Sequence, residues 1–489
     1  MRSNGKLDRF VVIGGGISGL TSAFYLKKEA ELRGREAHIT VVDPSERIGG
    51  KINTLRKEGF VIEKGPDSFL ARKTPIIDLA FDLGIENELT GTNPAAKKTY
   101  IVHRGKLHPM PPGLVLGVPT EIMPFAKTGL LSWGGKARAM LDFVLPASKA
   151  EGDESLGSFL SRRVGPEVME RIAEPLLAGI YAGDLSKLSL QATFPQFREA
   201  ERRHGSLIRG TRANRGKGTA APAAPGRLPK RAQGSMFLTF QNGLATMLEA
   251  LTEALAGCDS RFGCKAVAFR KNEPGEADGP EAAPYDVLLS NGEILPADGV
   301  VITAPAFDAA DLLEPHLPVD ALRSINYVSV ANVVMAFDKA AIGIEFDGSG
   351  FLVPRSEGMT ITACTWTSAK WLHSSPSDKV LLRCYVGRAG DEEVVDLPDG
   401  ALTDAVRRDI KSVLGIAAEP LFTEITRLHR SMPQYPVGHL EATARLRAQL
   451  RAEMPGVWIA GAAFEGVGLP DCIRQGKDAA AIVYDAVEG

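Results

Sequence analysis

Residues 9–20, RFVVIGGGISGL, decide the fold. Phe10, Val11, Val12 and Ile13 form a short apolar, β-branched run of the kind that makes a strand buried on both faces. Gly14, Gly16 and Gly19 follow at G-x-G-x-x-G spacing, with Gly15 as an extra small residue. Ser18 then opens a helical stretch that runs to about Glu31. The first glycine allows a tight turn, the second lets a pyrophosphate approach the backbone, and the third lets helix pack on strand. Unpaired N–H groups and the positive dipole end at the helix start favour phosphate charge. Residues 38–42, HITVV, read as a second strand ending in Asp43, an acid suited to both hydroxyls of a ribose. Asp43 lies 24 positions beyond Gly19, and the linker 32–37 accounts for the length. Strand, glycines, helix, strand and acid in this order predict an α/β, Rossmann-like domain that binds a dinucleotide.

Just outside this unit stands SERIGGKINT, residues 45–54. Its glycines, Gly49 and Gly50, allow backbone close to a ligand, and Arg47 is a permanently charged fork suited to phosphate. A further strand, FVIE at 60–63, runs into Lys64, Gly65, Pro66, Asp67 and Ser68. E-R-x-G-G followed by G-P-D-S resembles flavoproteins of the amine-oxidase and phytoene-desaturase type, which implies FAD rather than a nicotinamide dinucleotide. The chain closes with VWIAGAAFEGVGLPDCI, residues 457–473, again strand, glycine turn and helix. A second helix start beside a flavin would favour negative charge on its reduced ring.

Between these ends the pattern turns mostly helical from 74 to 205, interrupted by a strand-like ribbon at 99–103. Residues 110–147 are apolar but broken by proline and glycine; they line a substrate channel or core, or else lie on a membrane surface. Residues 202–231 hold nine Lys/Arg and no Asp or Glu, and read as a solvated basic loop. The acidic stretch 271–286 separates two strand-like runs as a long hairpin tip. β-rich runs at 325–337, 360–364 and 380–386 suit an antiparallel sheet in a second domain.

The 489-residue length suggests two or three domains, and 44% hydrophobic with 24% charged residues is ordinary for a globular enzyme. A formal net charge of -2 gives no reason to expect nucleic acid. The five cysteines include no C-x-x-C pair, and the eight histidines show no ligand spacing, so neither a disulfide framework nor a metal site is expected. With the first strand starting about ten residues in and no run of 18 apolar residues, neither a signal peptide nor a spanning helix is expected, and a cytoplasmic location follows.

Together with the glycine motif, GPDSFLARK, LLAGIYAGDLSKLSLQATFP, MPQYPVGH and GAAFEGVGLPDCIRQGK resemble the oxygen-dependent protoporphyrinogen/coproporphyrinogen oxidases, in particular their short, soluble bacterial branch. The resemblance runs from about residue 10 to 487. It implies an FAD domain from separated segments (8–75, 232–310, 425–489), a β-rich substrate domain (76–98, 311–424), a helical lobe (99–205) and a flexible loop at 206–231. It also implies FAD contacts from Gly14, Gly15, Gly16, Ile17, Ser18, Gly19, Asp43, Arg47, Gly50, Gly65, Pro66, Asp67, Ser68, Gly461, Gly468, Leu469, Pro470 and Asp471, and from the Val267 backbone on the adenine side. Leu428 departs from the family, which often has an aromatic there.

The implied reaction is oxidation of coproporphyrinogen III to coproporphyrin III in haem synthesis, with non-covalent FAD and dioxygen. Six hydrogens leave in three two-electron steps and three hydrogen peroxide form, so the cofactor carries the hard step and the protein positions a tetrapyrrole. No obligatory side-chain acid or base is expected, and Asp67 reads as a turn acid. Four propionates call for cations; Arg72 and Lys73 are best placed, then Lys97 and Lys98, while Gly179 leaves room for a flat macrocycle. Alternatives are protoporphyrinogen IX oxidation, a non-porphyrin flavin amine oxidase, and a non-catalytic binding protein on the same fold.

Overall fold

The structure is a computed structural model, in which residues 7–214, 227–272 and 283–488 are described. The apolar run at 10–13 lies in the central strand, Asp8–Ile13, of a five-stranded parallel sheet. Its neighbours are Ala37–Asp43 and Gly299–Ile302, with Asp259–Phe262 and Val457–Ile459 at the edges. Strand alternation sends Phe10 and Val12 into one core and Val11 and Ile13 into another. The first core lies under Ile17–Leu32 and Leu469–Glu488, which pack closely: a Cβ on Gly476 would stand 2.4 Å from the Ser18 carbonyl oxygen. The second lies under a three-stranded antiparallel sheet and the helices Ala306–Leu313 and His439–Glu453. Fully burying a leucine such as Leu26 contributes about 1.5–3 kcal/mol.

A seven-stranded sheet forms the second layer, in the order Phe422–Gln434, Asn326–Asp338, Lys379–Val386, Ile361–Trp366, Gly348–Leu352, Lys98–His103 and Lys106–Pro109. It contains the three β-rich runs expected from sequence, and helix Asp399–Leu414 covers one face. Several expected boundaries shift. The ribbon assigned to the helical lobe pairs parallel with Gly348–Leu352 instead. Ile101 points into the lobe core and Val102 into the sheet core, so the ribbon bonds to one unit and packs on both. Pro75–Asp82, expected in the substrate domain, buries Ile76, Ile77, Leu79 and Ala80 in the dinucleotide-domain core. Residues 425–434, expected with the cofactor segments, pair with Asn326–Asp338 in the large sheet.

The helical lobe is built on Phe159, Phe194 and Phe197, whose rings stack. The basic stretch also departs from expectation, because Leu207–Asn214 is a helix. Its Leu207, Ile208, Gly210 and Thr211 are buried, and buried Asp142 accepts from the Ser206 hydroxyl and the Leu207 and Ile208 N–H groups, capping its start. Composition read the charges and missed this cap; residues 215–226 of the loop lie outside the described residues. The runs flanking the acidic hairpin tip pair antiparallel as Ala266–Lys271 and Tyr285–Leu289, while 273–282 lie outside the described residues.

The 110–147 stretch divides its apolar side chains. Phe125, Leu130, Leu131 and Ala139 fill the lobe core, whereas Met123, Trp133 and Val144 face outward. No helix among the described residues is long and apolar enough to cross a membrane.

Candidate cofactor and substrate site

The first glycine turn is tight because its geometry excludes side chains. Gly14 has φ +118°, and a Cβ there would stand 2.4 Å from Thr303 Oγ1. A Cβ on Gly19 would stand 1.8 Å from the Gly14 carbonyl oxygen. At Gly16, by contrast, a Cβ meets nothing within 4 Å. Helix Ile17–Leu32 therefore starts at open space, with no side-chain cap from Gly16 at its N-terminus. Such an end takes a phosphate without further provision.

The structure gives Asp43 and Arg47 more local duties than sequence implied. Asp43 accepts from the Gly15 N–H at 2.6 Å and the Ser45 N–H at 2.8 Å, so the acid ties down the glycine turn. The Arg47 fork donates to the carbonyls of Ile48, Gly50 and Ile52 and closes the second glycine loop. That loop docks on the first: the Gly49 N–H donates to Gly15 O at 2.8 Å, and Gly50 lies against Gly16. Gly65 is pressed against this loop, its Cβ position 1.8 Å from Lys51 O. The 263–264 backbone donates to Ser45 and Asp43. The following strand bulges between Ala266 and Ala268, which leaves the Val267 backbone out of register with its partner strand.

The closing segment comes back to the same place. Gly461 lies against Ser18 Oγ, its Cβ position 3.6 Å away, so both helix starts converge. Gly466 has φ +110°, and Gly466 and Gly468 leave room for Asp471, in the first turn of helix Leu469–Glu488 with Leu469 and buried Pro470. Lys73 Nζ donates to Asp471. Tyr435 donates to Ala462 O at 2.6 Å and accepts from the Gly466 N–H at 3.0 Å. Its ring lies 5.7 Å from that of Tyr181 in the helical lobe, and Gln434 Nε2 donates to Tyr181 O. Lobe, large sheet and closing turn thus meet at one corner. The MPQY motif signalled this corner, although sequence reasoning assigned Gln434 and Tyr435 no role. Beside it, Gly179 faces open space and Ile180 is exposed.

The G-P-D-S turn rests on the large sheet. The Arg383 guanidinium donates to Gly65 O, and Asn332 Nδ2 donates to Lys64 O at 2.9 Å. Asp67 accepts from Ser68 and, at 3.4 Å, from Lys370. Burial opposes its charge, but Lys370, Arg383 and the Ser68 hydroxyl outweigh it and hold the carboxyl at about 2. A carboxyl this acidic is a poor base near neutrality, and its bonds run to the Ser68 and Lys370 side chains, not to the local backbone that the turn-acid reading expects. Lys51 and Asp67 keep accessible surface although protein surrounds them, the mark of side chains lining an interior cleft.

Of the expected substrate cations, Lys73 lies at the closing turn through Asp471, and Arg72 is exposed next to it. Lys98 does not join them. It is exposed at the start of Lys98–His103 and paired with Asp347 at 2.6 Å. Cys472 is buried, and burial pushes its thiol up to about 11, which disfavours a thiolate. Among the described residues no group of three or more His, Cys, Asp or Glu could hold a metal.

An open helix start behind the first glycine turn, a second helix start beside it and an interior cleft fit an elongated flavin dinucleotide. The chain matches the model of the flavin containing amine oxidoreductases over residues 17–484 and belongs to that family. It is an FAD-dependent oxidoreductase. It is 46% identical over 485 residues to coproporphyrinogen III oxidase of Bacillus subtilis (strain 168), covering 99% of each chain. The coproporphyrinogen III oxidase of Staphylococcus aureus (strain NCTC 8325 / PS 47) is 39% identical over 470 residues, 96% of this chain and 97% of that one. A solved chain from Exiguobacterium sp. 255-15 superposes with a TM-score of 0.84 at 35% identity, covering 99% of both.

Proposed function

We propose that the protein oxidises coproporphyrinogen III to coproporphyrin III for haem synthesis, with dioxygen as the final acceptor. The observation that carries this reading is the end-to-end similarity to the Bacillus subtilis enzyme at 46% identity. When bound, FAD would supply the two-electron redox chemistry between substrate and dioxygen. The rest is positioning by this chain. Gly14, Gly15, Gly16, Ile17, Ser18 and Gly19 would receive the pyrophosphate, assisted by Gly50, with the Val267 backbone towards the adenine. Gly65, Pro66, Asp67 and Ser68 would lie along the ring system, with Arg383 and Asn332 fixing that turn from below. The start of Leu469–Glu488, with Gly461 and Gly468 before it, would place positive dipole at the pyrimidine end. Gly179 would lie against the macrocycle. The chain would then comprise a cofactor domain, a sheet domain and a helical lobe, with the substrate cleft where they meet.

Lys73 is the best propionate partner, because a substrate carboxylate can replace or share Asp471 at its ammonium. Lys73→Ala should raise KM for coproporphyrinogen about tenfold, the loss of one charge-assisted bond, and for the dipropionate protoporphyrinogen about twofold or less. Steady-state porphyrin fluorescence on both substrates checks this; equal effects would remove Lys73 from the carboxylate site.

A further inference from the structure

The strand Phe237–Phe240 sends Leu238 and Phe240 into the dinucleotide-domain core and turns Phe237 and Thr239 the other way. On that face Thr239 is buried in company with Asp67 and Trp371, whereas Phe237, at the open end of the strand, is left 37% exposed. Phe237 pairs with Leu70, just before Arg72 and Lys73, so the exposed ring belongs to the same corner as the expected propionate partners. Lys370 reaches that corner from the large sheet, at the end of the short helix Thr367–Lys370 that follows strand Ile361–Trp366. Asn93 fixes its backbone: the Asn93 N–H donates to Lys370 O at 2.9 Å, and Nδ2 donates to Ala369 O at 2.9 Å.

The Lys370 ammonium stands 5.4 Å from the Phe237 ring centre and 5.1 Å from that of Trp371, within cation–π reach of both. Among the described residues it has a single polar partner, Asp67, at 3.4 Å, against 2.6 Å for the surface pair of Lys98 and Asp347. Charge-assisted bonds ordinarily close to about 2.7–2.9 Å and an ammonium carries three donors, so Lys370 can take a second carboxylate. Lys370 and Arg383 both act on Asp67, two cations facing one ionised carboxyl. Glu63, behind them, is raised to about 7 by burial and carries only part of a charge near neutrality.

We propose that Phe237 and Lys370 form a substrate subsite, in which the ring receives one pyrrole of the macrocycle and the ammonium takes a propionate other than the one at Lys73. The inference deepens the porphyrinogen reading above and rests on it. A pyrrole is flat and apolar and carries its propionate at the edge, so each such unit asks for an apolar face with a cation alongside. Phe237 and Lys370 supply that pairing beside Asp67, in the interior cleft. The aromatic rings also hold the ammonium in place before substrate arrives, so little side-chain freedom is lost on binding. Asp67 then becomes one of two partners of Lys370, and Arg383 continues to offset its charge.

The test titrates full-length, FAD-loaded protein with coproporphyrin III, followed by porphyrin fluorescence, and measures turnover of coproporphyrinogen III beside it. Lys370→Met should weaken coproporphyrin binding about tenfold and raise KM by a similar factor with kcat within about twofold, and Lys370→Arg should restore most of both. Phe237→Ala should weaken binding about fivefold, and Phe237→Tyr should keep it. Combining Lys370→Met with Lys73→Met should multiply the two losses to about a hundredfold, as separate carboxylate contacts require. A double variant no weaker than either single one, or unchanged binding and KM in Lys370→Met, overturns the subsite. If the variants do not fold, a crystal structure of the wild type with coproporphyrin III decides. A pyrrole on Phe237 with a carboxylate within about 3 Å of Lys370 Nζ upholds the subsite, and a macrocycle bound elsewhere overturns it. Wild-type protein that neither binds coproporphyrin III nor oxidises its porphyrinogen would overturn the substrate reading and the subsite together, whereas wild-type turnover with unaffected variants overturns the subsite alone.

Discussion

Gly19→Ala is expected to purify colourless. The added Cβ would stand 1.8 Å from the Gly14 carbonyl oxygen and 2.8 Å from Thr303 Oγ1, inside any real contact distance. Neither neighbour can retreat cheaply. Gly14 donates to Val42 O at 2.7 Å at the end of the central strand, and Thr303 donates to the carbonyls of Ile13 and Gly14. The helix must therefore lift from the strand, which carries its open N–H groups away from the phosphate position. FAD affinity should fall by about 100-fold or more, some 3 kcal/mol, with a lowered Tm. Gly134→Ala, whose Cβ would meet only Ser132 Oγ at 3.7 Å, should stay yellow. Flavin absorbance per protein separates the two, and a yellow Gly19→Ala would contradict this role of the glycine turn.

Arg163→Met should destabilise the helical lobe by about 3–5 kcal/mol, the cost of breaking a buried ion pair from one side. Arg163 and Asp142 are both fully buried, 2.5 Å apart, and Arg163 also donates to the carbonyls of Asp142, Leu145, Pro146 and Gly205. One guanidinium thus holds two chain reversals, and its loss leaves the Asp142 charge and four carbonyls short of donors. The same Asp142 caps Leu207–Asn214, so the helix that replaced the expected loop should fray first. Denaturant melts followed by hydrogen exchange check both points. A loss below about 1 kcal/mol, the scale of a surface pair, would contradict them.

The parts of the molecule legible in sequence were those with local causes. The strand–glycine–helix unit needs only adjacent residues, and its observed helix begins and ends within a residue or two of the expected bounds. The closing helix and the three β-rich runs share this property. What escaped was set by distant partners. Nothing near 99–103 reveals Gly348–Leu352 as its neighbour, and nothing near Lys98 reveals Asp347. Lys370 and Arg383 stand about 300 residues from the turn they hold, Asp67 and Gly65, so the lowered pKa of Asp67 has no visible cause in the sequence. Asp43 and Arg47 were recognised by type, but their bonds to the loop backbone appear only once the loops touch.

Porphyrin fluorescence, followed when purified, yellow protein meets coproporphyrinogen III or protoporphyrinogen IX in air, distinguishes the two substrates. Faster appearance of coproporphyrin, abolished by removing oxygen, is the expected result. A preference for protoporphyrinogen would discard the four-propionate reasoning behind Lys73 while keeping the flavin chemistry. No fluorescence from either substrate with FAD bound would contradict the proposed function outright.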